Sequence, residues 1–237
     1  MRLRRLAALT STAVLAAGAV GFAAPATGEA VNYRPAAACR KQLKPGGDLS
    51  HCNLSGLNLS LRNLTAANLV GANLIRANLT GTVLARANLR GAFIGYSQAK
   101  RVNLTGASLV GVHAIGANLE SARMDGTNLV GADLRNTRLR IAKMNGVVAT
   151  RAVFVGATMT GTRMVGAHLA SANLSRTHLV GADLRNADLR GANLTGADVN
   201  WMDLTGANLA GANLTGAQWC ETTKPSTAFR YGCLTGG

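Results

Sequence analysis

The stretch that decides the fold is "GADLRNADLRGANLTGAD", which runs from Gly181 to Asp198. In it Leu184, Leu189 and Leu194 recur at every fifth residue, each preceded by Ala and then by Asp or Asn. A period of five matches neither the 3.6-residue turn of an α-helix nor the two-residue alternation of a strand. Such leucines would scatter around a helix and would alternate between the faces of a flat strand. The period therefore requires a backbone that turns once in every repeat.

The same frame extends over most of the chain. Its central residue falls on every fifth position from Leu49 to Trp219, which makes 35 repeats without a break. The residue two before the centre is nearly always small, Asn or Asp often lies between them, and Gly often follows two positions after the centre. In a short extended segment the small and central residues point inward and the residue between them points outward. Because Gly suits a corner, the pattern predicts a solenoid with an interior column of Leu and Ala.

A second periodicity concerns the number of repeats in each coil. Related segments begin at Ser121, Ile141 and Gly161, at intervals of 20 residues or four repeats, as stacked square coils would produce. Against this, "LVGADLRN" recurs at Leu129 and Leu179, an interval of 50 residues that does not follow such a coil. The shorter interval favours four repeats per coil.

The repeats resemble those of the pentapeptide-repeat family, whose pattern is A(D/N)LxG. "ADLRN", "ADLRG", "ANLTG" and "ANLAG" between Ala182 and Gly216 match it. The resemblance implies an all-β fold, a right-handed quadrilateral β-helix with four repeats per coil over residues 48–220. The segment Lys44–Gly56 and the later "WCETTKPS" are similar to the cysteine-bearing flanks of exported actinobacterial members. At about 4.8 Å per coil, we expect nearly nine coils in a rod of about 40 Å.

The N-terminus has the pattern of a secretory signal peptide. "MRLRR" precedes an apolar stretch from Leu6 to Phe22, and "APA" at Ala24–Ala26 offers a cleavage site. A membrane anchor is the alternative, but the stretch is short and rich in alanine for a span. Cleavage after Ala26 would reduce the net charge from +15 to +12, and a second site follows Ala30. The predicted location is extracellular. The predicted organisation is a signal peptide (1–26), an N-terminal flank and cap (27–47), a β-helix (48–220) and a C-terminal cap (221–237).

Four cysteines form two groups at opposite ends of the repeats. Cys39 and Cys52 are 13 positions apart, and so are Cys220 and Cys233. An even number in an exported chain predicts disulfides, for which three connectivities exist. Their placement favours local pairing, which would staple both ends and cover the unpaired edges of the solenoid. The spacing does not fit a zinc site, so no metal or cofactor is predicted.

Enzymatic chemistry is not indicated, because catalysis requires unlike reactive groups that converge. The four histidines are scattered, and no serine or cysteine nucleophile comes with a suitable base. We therefore predict no catalytic residue and no enzyme.

The residues that point outward from each repeat are the remaining indication of function. With four repeats per coil, Arg123, Lys143 and Arg163 form a ladder of like charges, a candidate anion-binding stripe. The alternative is a solvated surface. A second ladder alternates in sign: Lys100, Glu120 and Arg140.

Apolar residues fall into an inner and an outer group. Three methionines are predicted to stack in the core: Met124, Met144 and Met164. Two outward columns form a candidate docking face for a partner: Val70, Val110 and Val130, with Ile75, Ile115 and Val155 beside them. Isolated apolar side chains are also normal on surfaces.

Three functions agree with these features to different degrees. A basic, exported, non-enzymatic protein could serve a structural or binding role by adhering to anionic cell-envelope polymer or to an extracellular protein. Non-specific nucleic-acid binding through the basic stripe is the alternative. Some cytoplasmic family members mimic DNA and regulate topoisomerases, but mimicry requires an acidic rod. No stable membrane insertion is expected once the signal peptide is removed.

Overall fold

The chain forms a coil whose successive turns are joined by single parallel β-bridges between residues 20 positions apart. The first of these bridges joins Asp48 to Asn68, and the last joins Asp198 to Gln218. These observations come from a computed structural model that describes residues 32–219. Within this range each strand is a single bridge residue per repeat, in the outward slot just before the central residue. The helical elements are α1, Ala36–Cys39, and a 3-10 turn, Arg40–Gln42. Four repeats therefore close one coil, as the 20-residue interval predicts.

Hydrogen bonds from one repeat reach both neighbouring coils. In the repeat centred on Leu69, the Asn68 N–H donates to the preceding coil (3.0 Å) and the Leu69 N–H donates to the following coil (2.7 Å). The Gly71 N–H also donates to the following coil (3.0 Å), and the Ala72 N–H closes the turn onto the Leu69 carbonyl (3.0 Å). Each coil is thus tied to the next at every corner, which satisfies the backbone without long strands.

The second residue of every corner from Gly46 to Gly216 has a left-handed backbone, with glycine at 20 of these 35 positions and another residue at 15. A positive φ at this position is what a type II turn requires. Glycine adopts it without a steric penalty, as Gly71 does at +60°. The recurrent glycine of the sequence therefore reflects a backbone requirement of the corner.

The interior is a column of fully buried side chains, mostly Leu and Ala. Met124, Met144 and Met164 lie in it with no exposed surface. Buried threonines at the small inner position donate to main-chain carbonyls, as Thr82 Oγ1 does to Leu59 (2.8 Å). The core thus tolerates a hydroxyl because the polar atom has a partner.

A disulfide fixes the N-terminal end of the helix. Cys39 is bonded to Cys52, with Cα atoms 6.2 Å apart. Arg34 forms a parallel bridge with Cys52, and its N–H donates to His51 (2.7 Å). This segment lies beside the first coil, and its role as an N-terminal cap stays a prediction. Cys220 and Cys233, like the predicted signal peptide and the C-terminal cap (221–237), lie outside the described residues.

We name the four sides of the coil by their columns of bridge residues. Face A runs from Asn63 to Asp203, and face B from Asp48 to Asn208. Face C runs from Asn53 to Asn213, and face D from Asn58 to Gln218. A two-residue corner joins each face to the next, and the corner between faces D and A begins the next coil.

Candidate anion-binding site

The predicted ladder is continuous on face A. Parallel bridges join Arg123 to Lys143 and Lys143 to Arg163, and all three side chains are exposed. Asp183 and Asp203 continue the same column. Three cations therefore follow one another at the spacing of successive coils, about 4.8 Å, on one side of the helix.

The coil brings four more cations to the edge of this ladder. They occupy the corner between faces D and A and the adjoining part of face D, and all are exposed: Lys100, Arg101, Arg138 and Arg140. Sequence analysis did not include them in the stripe, because they occupy different slots of the repeat. We call the whole set the basic corner: Lys100, Arg101, Arg123, Arg138, Arg140, Lys143 and Arg163.

Only part of this charge is compensated. Lys100 Nζ lies 3.1 Å from Glu120 Oε2, so these two members of the alternating ladder form an ion pair. Within residues 32–219, the other six cations of the basic corner form no ion pair. Two unit charges about 5 Å apart in water repel by about 1 kcal/mol before salt screening. The basic corner therefore carries an excess of positive charge that attracts anions.

Three arginines elsewhere on the helix are neutralised within their own repeats: Arg135, Arg185 and Arg190. Other exposed arginines, such as Arg76, Arg86 and Arg151, form no ion pair within residues 32–219. In "ADLR" repeats the arginine donates through two nitrogens to the aspartate two positions before it, as Arg190 does to Asp188 (both 2.8 Å). The hydrogen bond from Arg190 lowers the pKa of Asp188 to about 2. Arg185 likewise lowers the pKa of Asp183, with a smaller contribution from Arg163. These paired arginines are thus chemically different from those of the basic corner.

Asn and Asp in the outward slot have a role that sequence analysis missed. Asn193 Oδ1 accepts the Thr195 N–H (3.0 Å) and the Thr195 hydroxyl (2.6 Å), which caps the corner. Asp48 does the same for Ser50 (3.1 and 2.7 Å). The signal was present in the frequency of these two residues, since Asx turns are their characteristic local structure. Lys143 and Arg163 occupy this slot without such an oxygen, and the N–H groups two residues further on donate to the preceding coil instead: Asn145 to Asp125 Oδ1 (3.0 Å) and Val165 to Asn145 Oδ1 (3.1 Å).

The predicted apolar columns lie at two other corners. Val70, Val110 and Val130 follow the corner between faces B and C, where Arg90 separates the first two. Ile75, Ile115 and Val155 follow the corner between faces C and D. All six side chains are half-buried. Their role as a docking face stays a prediction.

Other reactive groups do not converge. Among residues 32–219, no group of three or more His, Cys, Asp or Glu side chains is placed to hold a metal. His113 stacks on Phe93, with ring centroids 4.8 Å apart. The described part of the chain has no helix that is long and apolar enough to cross a membrane.

Comparison with known proteins identifies the family. A sequence model described as "Pentapeptide repeats" matches in eight copies, over residues 46–81, 58–95, 103–140, 132–169, 167–201 and 203–223. The chain belongs to the pentapeptide-repeat family. Members of this family are generally structural or binding proteins, and the family implies a right-handed quadrilateral β-helix.

The solved structure of another pentapeptide-repeat protein is similar in fold. HetL of the cyanobacterium Nostoc, a pentapeptide-repeat protein involved in the regulation of heterocyst differentiation, is 24% identical, with a TM-score of 0.57 over 77% of this chain and 91% of its own. Trypsin-treated QnrB1, a plasmid-mediated fluoroquinolone resistance protein, is 23% identical, with a TM-score of 0.48 over 68% of this chain and 77% of its own. The comparison with curated protein sequences gave no match.

Proposed function

We propose that this is an exported, non-enzymatic binding protein that adheres to anionic cell-envelope polymer through the basic corner. The observation that carries the proposal is the set of six exposed cations without an ion-pair partner among residues 32–219. The net charge of +12 expected after cleavage at Ala26 supports it, and so does the predicted signal peptide. Family membership supports a binding role without catalysis.

A linear polyanion suits the geometry of this site. The three ladder cations are held by a stiff backbone at regular intervals of about 4.8 Å, so a chain of phosphates or carboxylates can contact several at once. Arg101 and Arg140 extend the contact around the corner. Binding of this kind releases counterions and weakens steadily with rising salt. Several weak contacts on one polymer together give useful avidity.

The two ends of the solenoid complete the proposal. We propose nearly nine coils with a Cys220–Cys233 disulfide at the C-terminal end, matching Cys39–Cys52 at the other. Capped ends would prevent end-to-end association of strand edges. The molecule would then present its sides, including the basic corner, to the envelope.

Cosedimentation tests the proposal. The mature protein, purified under oxidising conditions, is mixed with isolated bacterial envelope from about 50 mM to about 500 mM salt. We expect a bound fraction that falls steadily with salt, and little binding to envelope from which phosphodiester polymer has been removed by acid. No binding at low salt, or equal binding to stripped envelope, would contradict it.

Nucleic acid presents the same phosphate chemistry and is the alternative ligand. Duplex DNA is therefore added as a competitor in the same assay. Displacement by DNA at lower phosphate concentration than by purified envelope polymer would favour non-specific nucleic-acid binding. Mimicry of DNA is opposed by the positive charge of the basic corner, since a mimic must be acidic.

A further inference from the structure

The corner between faces D and A also carries the exposed large hydrophobic side chains of the described residues. Among residues 32–219, three such side chains are exposed: Leu61 (80%), Ile141 (53%) and Trp201 (61%). All three occupy the same column, the second residue of the corner between faces D and A. Arg101 lies in this column between Leu61 and Ile141, and Arg140 immediately precedes Ile141. We call this column the apolar edge: Leu61, Ile141 and Trp201.

The backbone keeps these side chains at an unfavourable conformation. The φ angles are +58° at Leu61, +52° at Ile141 and +60° at Trp201. A left-handed backbone is unfavourable for any residue with a side chain and is a marked outlier for a β-branched one such as Ile141. The same conformation occurs at 15 non-glycine corner positions around the helix, so it does not by itself mark a site. In this column Gly81, Gly161 and Gly181 adopt it without a steric penalty, so the turn itself does not require large apolar residues.

Glycines on the next coil make room for the apolar edge. A Cβ atom added at Gly81 would lie 2.8 Å from Leu61 Cδ2, and one at Gly161 would lie 3.3 Å from Ile141 Cγ2. The side chains of Leu61 and Ile141 therefore rest over bare backbone of the following coil. This arrangement keeps each apolar group at the outermost line of the molecule.

The three residues lie in one column along a corner of the helix. Leu61 and Ile141 are four coils apart, about 19 Å, and Ile141 and Trp201 are three coils apart, about 14 Å. A convex edge cannot enclose a small ligand, but it can lie along a flat surface. Cations adjoin two of the three tips, Arg62 beside Leu61 and Arg140 beside Ile141, whereas Trp201 lies between Asp198 and Asp203. Apolar tips beside cations match a surface with anionic groups outside and hydrocarbon beneath.

We propose that the apolar edge docks the helix lengthwise on an anionic phospholipid bilayer. Leu61, Ile141 and Trp201 enter the headgroup region, and Arg101 and Arg140 contact lipid phosphates. Tryptophan favours this interfacial depth, and basic residues near the surface add electrostatic attraction to anionic lipid. The proposal goes beyond adhesion to envelope polymer, because a polymer of phosphates makes no use of apolar tips. The contact is peripheral, since the flanking charges do not enter hydrocarbon.

Vesicle binding by the full mature chain tests the proposal. Vesicles of phosphatidylglycerol with phosphatidylcholine are compared with vesicles of phosphatidylcholine alone. We expect binding to the anionic vesicles, with a blue shift of tryptophan emission and quenching by brominated acyl chains. The Trp201→Phe variant, which keeps Trp219, reports how much of the quenching belongs to position 201.

Serine variants separate the lipid contact from the polymer contact. Trp201→Ser and Ile141→Ser are each expected to weaken vesicle binding at least tenfold while leaving binding to lipid-free envelope polymer unchanged. His51→Ser, in the same slot of the diagonally opposite corner and also placed over a glycine of the next coil, is the matched control and should change neither. Far-UV circular dichroism and thermal unfolding verify that each variant folds.

Either of two results would overturn the proposal: no binding to anionic vesicles, or serine variants that bind them as the parent does. Both results leave polymer adhesion intact. Conversely, loss of polymer binding with retained vesicle binding would refute only the proposed function.

Discussion

Removal of one corner cap tests how the repeat is stabilised. Asn128 Oδ1 accepts the Val130 N–H at 3.1 Å. Asn128→Ala leaves this half-buried N–H to water alone. The loss of a side-chain cap costs about 0.5–2 kcal/mol, and a net hydrogen bond contributes about 1 kcal/mol. We therefore expect a loss of about 1 kcal/mol in the free energy of unfolding, whereas Asn128→Asp, which keeps the acceptor, should lose much less.

The next coil offers the reverse experiment. Val148 is bridged to Asn128 in the same column and has no side-chain oxygen for the Thr150 N–H. Val148→Asn should supply the missing cap, at the cost of some half-buried apolar surface. We expect a net gain of about 0.5 kcal/mol, which is the cap less the lost burial of a methyl-sized group.

Two measurements verify this pair of changes. Urea unfolding gives the free-energy differences, and amide hydrogen exchange reports the local effect at residues 130 and 150. Protection at Val130 should fall in Asn128→Ala, and protection at Thr150 should rise in Val148→Asn. If Asn128→Ala changes neither quantity, or if Val148→Asn destabilises the protein by more than about 1 kcal/mol, the capping role is wrong.

Three further predictions concern stability. The hydrogen bond from Arg190 holds the pKa of Asp188 at about 2, below its ordinary value. The pair therefore stabilises the fold above about pH 4, and this stabilisation is lost as the pH falls towards 2. Arg190→Gln should flatten this part of a plot of Tm against pH. Replacement of Cys39 and Cys52 by alanine should cost about 3 kcal/mol in urea unfolding, because the disulfide closes a loop of about 14 residues; an unchanged midpoint would be contrary evidence. Ile141→Gly should raise Tm by relieving a left-handed residue, and a lowered Tm would mean that the side chain stabilises the corner.

The fold follows from the sequence because one short period is repeated without a break. The five-residue frame gives the turn in every repeat, and the 20-residue interval at Ser121, Ile141 and Gly161 gives the coil. Each of these depends on local geometry alone. The 50-residue recurrence at Leu129 and Leu179 has no counterpart in the bridges, and we have no structural account of it.

The site is less accessible to sequence analysis because it combines different slots of the repeat. Arg123, Lys143 and Arg163 share one slot of the repeat and are 20 residues apart, so their stacking follows directly from a coil of four repeats. Arg138 and Arg140 lie on the other side of a corner, and their proximity depends on where the backbone turns. Likewise, the outward direction of Asn128 was predictable, but its bond to a neighbouring N–H depends on the curvature of the corner.

The sequence alone also does not show which of the positive side chains form ion pairs and which do not. Arg185 and Arg190 follow their aspartates in "DLR" and are bound to them. The cations of the basic corner have no such neighbour in their own repeats. The sequence distinguishes paired from unpaired arginines only once the structure shows that an arginine side chain can reach the residue two positions before it.

Charge reversal of the ladder tests the central claim most directly. One variant carries Glu at Arg123, Lys143 and Arg163, and a control of equal net charge carries Glu at three other exposed corner positions: Arg76, Arg86 and Arg151. Binding of both to isolated envelope is measured at low salt. We expect the first variant to lose binding and the control to keep most of it. Equal losses would mean that only total charge matters, and retention of binding by the first variant would contradict a binding role for the basic corner.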